Sequence, residues 1–173
     1  MRPHAVTRRL RQATLALSLL LTACAGGNGP PGPRYAEVAA QIPKLAPDQA
    51  RFFFYRYYEP YEGLDRPCIR LNGVVAAISE PGGVSYHDVA PGTYLVSVYS
   101  PGLYPNQDKT VTIKAGETVY VLIQSNQAYN QGFDNYSPAT FVVAITDPEE
   151  GQRRIETMVY FPPSDAASAT CQL

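Results

Sequence analysis

From Ala50 onward the chain is cut into short runs of aromatic and β-branched residues, each bounded by Gly, Pro, Asn or Asp. Such runs favour strands, because these side chains fit a pleated, half-buried surface. Residues 51–58 (RFFFYRYY) are dense in aromatics. Ile69, Arg70 and Leu71 alternate, and Asn72-Gly73 separates them from an apolar run at 74–78. Asn-Gly between two such runs predicts a two-residue hairpin, since both residues tolerate the positive φ of a type I′ turn. Pro81-Gly82-Gly83 and Ala90-Pro91-Gly92 bracket a run at 84–89. Tyr94, Val96 and Val98 share a face of 93–99, and Val111 and Ile113 share a face of 110–114. Ala115-Gly116 turns into 117–124, and Phe141, Val143 and Ile145 alternate in 140–146. Residues 147–151 read as a turn into a last strand at 153–161.

Eight or nine short strands with almost no helix predict an all-β fold, an antiparallel β-sandwich of the immunoglobulin or transthyretin-like kind. A parallel α/β fold needs helical crossovers of about a dozen residues, and the spacing leaves no room for them. One short helix is expected ahead of the strands, where Tyr35, Val38, Ala39 and Ile42 recur at helical spacing before Pro43.

The N-terminus has a different composition. Arg2, Arg8, Arg9 and Arg11 precede an apolar run at 15–21, with no acidic residue among the first 23. The run is too short to span a bilayer, which takes ~20 apolar residues. An ordinary secretory signal accounts for the arginines and leucines. The cysteine directly after Leu21-Thr22-Ala23 favours a second reading. The four residues ending at Cys24 resemble the lipobox of bacterial lipoproteins, cut before the cysteine. That resemblance implies a diacylated and N-acylated Cys24, with palmitate-type chains. Several chains at ~0.8 kcal/mol per buried methylene hold a protein on a membrane almost permanently. Ala25 rather than Asp follows the cysteine, which resembles lipoproteins sent on to the outer membrane. The organisation then expected is a signal peptide at 1–23, a lipidated tether with a short helix at 24–47, a sandwich at 48–162 and a tail at 163–173. Residues 25–34 (AGGNGPPGPR) are mostly Gly, Pro and Asn, read as a flexible tether, and could reach ~30 Å when extended.

Removing residues 1–23 takes away four of 14 basic residues and none of 15 acidic ones, leaving a net charge of −5. An acidic surface argues against nucleic acid, which needs a basic stripe, and against adhesion to anionic headgroups. No second apolar run of ~18 residues occurs. With Cys24 lipidated, Cys68 and Cys171 remain as a pair that an oxidising compartment could bridge. One buried thiol and one tail thiol is the alternative, and both stay open.

Residues 50–121 resemble a family of bacterial lipoproteins known as domain of unknown function 2846. Phe54-Tyr55-Arg56, residues 67–73 (PCIRLNG), 88–94 (DVAPGTY) and 115–121 (AGETVYV) carry the resemblance. It implies a small all-β domain behind a lipid anchor and supplies no catalytic residues. Residues 57–63 (YYEPYEG), the stretch 125–138 and the last two strands depart from it.

The residues offer little chemistry of their own. His87 is the one histidine after the signal segment, with Ser85 and Asp88 beside it. Strand neighbours point to opposite faces, so Asp88 would turn away from Ser85 and His87 and no triad forms. One histidine and two distant cysteines do not make a zinc site. Glu62 with Asp65, and Glu149 with Glu150, fall in turns and read as solvated. The sequon Asn135-Tyr136-Ser137 is followed by Pro138 and carries little weight. No metal or cofactor is expected, nor any catalytic residue. The tyrosines stand out, 13 in a chain without tryptophan. Tyr57, Tyr58 and Tyr61, with Tyr129 and Tyr136 in the Asn/Gln-rich stretch, form a candidate binding surface, since tyrosine gives stiff contact area with a polar tip. Strand preference alone is the plainer explanation.

The expectation is a non-enzymatic, membrane-anchored sandwich facing the periplasm, binding or scaffolding in the cell envelope. Its partners would be the membrane, through the anchor, and an envelope protein or glycan. Two other classes stay open. A hydrolase of envelope polymers would need two carboxylates converging in a cleft. An accessory subunit of an envelope assembly would need an exposed apolar edge or patch.

Overall fold

The computed structural model describes residues 30–59, 65–100, 107–126, 140–163 and Cys171. A one-turn helix α1 (Tyr35–Val38) runs into a 3-10 turn (Ala39–Gln41). Strands β1 (Ala50–Tyr55), β2 (Cys68–Leu71), β3 (Val74–Ile78), β4 (Gly83–Val89), β5 (Gly92–Val98), β6 (Lys109–Ile113), β7 (Thr118–Asn126) and β8 (Thr140–Thr146) follow. Helix α2 (Pro148–Ile155) and a two-residue strand β9 (Val159–Tyr160) close the fold. The strands form two sheets, ordered β8-β7-β1-β4-β9 and β3-β2-β5-β6, packed face to face as a β-sandwich.

The four-stranded sheet is antiparallel throughout. Its β2–β3 hairpin turns on Asn72 and Gly73 at φ 50° and 84°, the positive pair that a type I′ turn demands. Asn72 also crosses to β5, where its Oδ1 accepts from Leu95 N at 2.8 Å. The five-stranded sheet is mixed, which corrects the purely antiparallel expectation. β1 runs antiparallel to β4 but parallel to β7, and β9 runs parallel to β4. The parallel pairs join segments far apart in sequence, with other strands between them to make the crossover, so no helical connection was needed.

The main core lies between the sheets. Phe52, Phe54, Ile69, Val96, Val121 and Phe141 are essentially inaccessible there. Each such side chain contributes roughly 1.5–3 kcal/mol of burial. A second apolar layer covers the other face of the five-stranded sheet. Phe53, Tyr55, Tyr86 and Tyr120 project into it, capped by Ile155 and Met158, with Tyr35 and Tyr160 packed against them. All six residues of β1 are therefore buried. A central strand covered on both faces has no reason to alternate, which is why residues 52–55 read as an unbroken aromatic run. The rings set the spacing: Tyr120 stacks on Phe53 at 5.5 Å, and Tyr35 meets it edge-on at 5.4 Å.

This second layer holds two corrections. The residues expected as a turn and strand at 147–161 form α2, with a strand only at Val159–Tyr160. Asp147 caps the helix by accepting from Glu149 N and Glu150 N, and Pro148 stands at its start. Glu149 and Glu150 lie at the positive end of the helix, Arg153 and Arg154 at the negative end, as the helix dipole favours. The packed part of the chain also begins before residue 48. Tyr160 N donates to Pro33 O, Tyr35 N donates to Met158 O, and Arg34 bridges Val159. Backbone pairing needs no apolar side chain, so the Gly/Pro composition of 30–34 did not prevent docking. Gly32 is required there, since a Cβ would stand 2.6 Å from Val159 Cγ1.

One ion pair sits within the aromatic layer. Arg51 and Asp88 face each other across β1 and β4. The guanidinium donates from Nε to Oδ1 at 2.6 Å and from Nη2 to Oδ2 at 2.7 Å, and Nη2 also reaches Pro43 O. It lies 4.2 Å from the centroid of Tyr86. Removing one partner of such a pair strands a desolvated charge, whereas replacing both with apolar side chains does not. Asp88→Ala should therefore lose about 3 kcal/mol of unfolding free energy in a denaturant titration. The double variant Arg51→Met/Asp88→Leu should recover most of it. Gly151 supplies a second test. Gly→Ala inside a helix ordinarily gains about 1 kcal/mol. Here the new Cβ would lie 2.4 Å from Cβ and Cγ of Tyr120. Gly151→Ala should instead lower stability, by about 1–3 kcal/mol, because α2 must lift off β7. A rise in Tm would contradict that packing.

Candidate functional site

Two edges of the sandwich leave a groove between them. One wall is β3, the outermost strand of the four-stranded sheet, through Ala76, Ala77 and Ile78. The other is Ser85 of β4 with Phe161, Pro162 and Pro163, the chain leaving β9. Arg66 and Glu80 complete the lining, and the volume is about 210 Å³. Local sequence explains the shape. Pro162 and Pro163 have no N–H to donate, so pairing along β4 stops after Phe161 N reaches Val84 O. Gly83 lets the Phe161 ring close down, since a Cβ there would lie 2.7 Å from the ring.

Ser85 lies beneath the groove. Val84 and Tyr86 belong to the outer aromatic layer, so Ser85 between them faces inward, toward β3. Ser85 is 7 % exposed, and its hydroxyl has no hydrogen-bond partner. Ser79, at the end of β3, is also buried with an unpartnered hydroxyl. Both serines line a smaller pocket of about 10 Å³ behind the groove, with Arg56 and Phe54. That is space for about one water. Arg56 is buried, donating to Asp65 O at 2.7 Å and to Ser125 Oγ at 3.1 Å, with its guanidinium 4.9 Å from the Phe141 ring. At the mouth, Arg66 grips Glu80 through both carboxylate oxygens, its Nε at 2.7 Å from Oε2. The carboxylate neutralises the guanidinium and holds its pKa above the ordinary arginine value.

The residues singled out from sequence are distributed differently. Tyr57 packs edge-on against Tyr55 at 5.9 Å, under the guanidinium of Arg154. Tyr58 is largely exposed and lies beside Gly82. The two neighbours thus diverge. Tyr61, Tyr129 and Tyr136 lie outside the described residues, as do Cys24 and the whole of 1–29. Tyr86, Tyr120 and Tyr160 serve the outer layer, where burial pushes the Tyr160 hydroxyl up to about 12. Asp88 is held by Arg51 on the face opposite Ser85, away from any triad geometry. Burial lowers the pKa of His87, and Asp88 opposes it only in part. Glu149 and Glu150 belong to the first turn of α2, where Glu150 pairs with Arg153 and Arg154. Among the described residues, no three His, Cys, Asp or Glu side chains come together as a metal cluster.

Cys68 and Cys171 are joined as a disulfide, with Cα atoms 5.2 Å apart and 103 residues between them. The bond ties the C-terminal segment, which leaves one sheet at β9, to β2 of the other. A loop of about 100 residues closed in this way restricts the unfolded chain by up to ~4.7 kcal/mol. Sequence reasoning passed over the groove residues Arg66, Glu80 and Phe161, and Ser79 of the pocket behind them. Only the aromatic residue followed by two prolines marked the place where a strand ends and the chain leaves the sheet.

Comparison with known proteins adds one match. Residues 75–121, from β3 into β7, match the family model of polysaccharide lyase family 4, domain II, a fibronectin-type-III-like domain. This is a different family from the lipoproteins expected over residues 50–121, and no model of that lipoprotein family matches the chain. No curated protein and no solved structure matches the chain.

Proposed function

We propose that this chain is a lipid-anchored, non-catalytic module that presents a glycan-binding β-sandwich within the bacterial envelope. The observation that carries the reading is the groove at the sandwich edge, formed in part by a stretch matching a domain of polysaccharide lyases. Among the described residues, the groove is lined by apolar side chains, one serine and an internally neutralised ion pair rather than by two free carboxylates. Glu80 is the one carboxylate among its lining residues, and Arg66 engages it. That suits binding better than the paired-acid chemistry of a glycoside hydrolase. The segment ending at Cys24 and the four-block resemblance to lipoproteins of domain of unknown function 2846 support an anchor on the outer membrane, facing the periplasm. Confinement to a surface raises the effective concentration of a weak binding site, so modest contacts suffice.

The anchor has a direct test. Wild-type protein should fractionate with membranes in its processed form, and Cys24→Ser should remain unprocessed or become soluble. If Cys24→Ser still sediments with membranes as mature protein, the anchor is not at Cys24. Envelope polysaccharide should be retained by the purified wild-type protein above a carrier control, and absence of retention overturns the binding role.

A further inference from the structure

We propose that the turn at residues 80–83, with Pro30, Tyr58 and Phe161 packed around it, is the pole of the sandwich that rests on the headgroup layer of the anchoring membrane. This depends on the Cys24 anchor proposed above and adds the orientation of the domain and its lipid contact.

The packed chain begins much closer to Cys24 than its composition suggests. Pro33 O accepts from Tyr160 N, Arg34 bridges Val159, and Pro30 is already seated on the turn at 80–83. Only residues 25–29 lie between Cys24 and Pro30. That length of chain spans at most about 20 Å, and about 6 Å of it is spent crossing the headgroup layer. A fold of this size is about 35 Å across. Pro30 therefore cannot stand on the side of the domain remote from the bilayer. The surface around it belongs to the half that faces lipid.

Local sequence builds that surface. Gly83 N donates to Glu80 O at 3.0 Å, with Pro81 and Gly82 at the corners, and Gly82 has φ 70°, the pattern of a type II turn. A Cβ on Gly82 would stand 3.0 Å from Tyr58 Cβ and 3.1 Å from Pro30 Cδ, and one on Gly83 would meet the Phe161 ring. The two glycines thus gather the N-terminal segment, the exit of β1 and the exit of β9 at one place. Arg66 joins them through Glu80. Tyr58 and Pro162 stay exposed there, and Phe161 is half-buried. An aromatic ring with a polar tip is favoured at headgroup depth. Arg66 keeps donors beyond the two that Glu80 takes, and these suit lipid phosphate. Glu59 and Glu80 keep the pole from being a cationic patch, so the short tether and the ring seat it rather than attraction to anionic lipid. The groove shares Arg66, Glu80 and Phe161 with this pole, so a ligand held there would lie close to the bilayer.

The opposite end of the domain supplies the control. Pairing of β1 with β4 runs from Tyr55–Val84 near the pole to Ala50–Val89, about 17 Å away along the strands. Ala115 is exposed in the turn beyond that end, where Gly116 N donates to Gln49 O. The chain has no tryptophan, so Tyr58→Trp and Ala115→Trp each carry one reporter. The lipidated proteins are reconstituted into vesicles of phosphatidylethanolamine and phosphatidylglycerol, with and without a phosphatidylcholine carrying a nitroxide on its headgroup. Tyr58→Trp should shift to the blue and lose emission to the nitroxide, while Ala115→Trp keeps its emission. If vesicle-bound Tyr58→Trp is not quenched, or both variants are quenched equally, the pole is wrong and the anchor stands. A blue shift in Tyr58→Trp without quenching also overturns the pole, because protein rather than lipid then covers the turn. If the mature protein does not sediment with the vesicles, anchor and pole fail together.

Discussion

Burial of β1 on both faces is the constraint from which the rest of the structure follows. A sandwich needs only one covered face per sheet, and the four-stranded sheet obeys that rule, with Thr93, Leu95, Thr110 and Thr112 facing solvent. The five-stranded sheet does not. Phe53 and Tyr55 project away from the main core and, with Tyr86 and Tyr120, make an aromatic face that water would not tolerate. Something must cover it, and among the described residues that cover comes from the two ends of the fold. Residues 30–43 and the segment from α2 to β9 meet over that face and bond to one another. Arg51 belongs to the same layer. It is an arginine on a buried strand, tolerable because Asp88 faces it in register and Tyr86 lies under its guanidinium.

That constraint separates what was legible in the sequence from what was not. Strand positions and the sandwich architecture were legible because turn chemistry is local, and Asn72-Gly73 states its own φ values. The unbroken run at 52–55 also carried a message, that both faces are covered, which aromatic content alone does not convey. Helix α2 was legible in principle. Asp147, Pro148, Glu149, Glu150 and the two arginines spell a capped helix, but Val159, Tyr160 and Phe161 behind them favour a strand, and a short helix can be lost beside such a run. Parallel pairing of β1 with β7 was not legible, since nothing within either strand records its partner's direction. The tyrosines illustrate the same limit. Their number was evident, yet whether each meets water or another ring depends on segments more than 60 residues away, as with Tyr86 and Tyr160.

The groove was the least legible part, for a physical reason. Its lining comes from the approach to β2, the end of β3, one inward position of β4 and the exit from β9, and no two of those segments share a periodicity. Ser85 has the composition of any strand serine. Only its position opposite β3, with no acceptor or donor in reach, gives it significance.

The groove also follows from the way the outer layer is built. To cover Tyr86 the chain must run beside β4 on its outer side, and β9 does so for two residues. Longer pairing would have extended the five-stranded sheet past β3 and sealed the edge of the sandwich. Pro162 and Pro163 prevent that by withholding donors, and Cys171 further along the chain is bonded to Cys68 of β2. The result is a seam along the sandwich edge, bridged by a covalent tie. The same two prolines that end the covering strand form a wall of the cavity. Backbone pairing and the disulfide fix the edges of that seam, and the side chains of Arg66, Glu80 and Phe161 line it. Preorganisation of that kind lowers the ordering cost of binding, which matters most for a site too small to gain much from area.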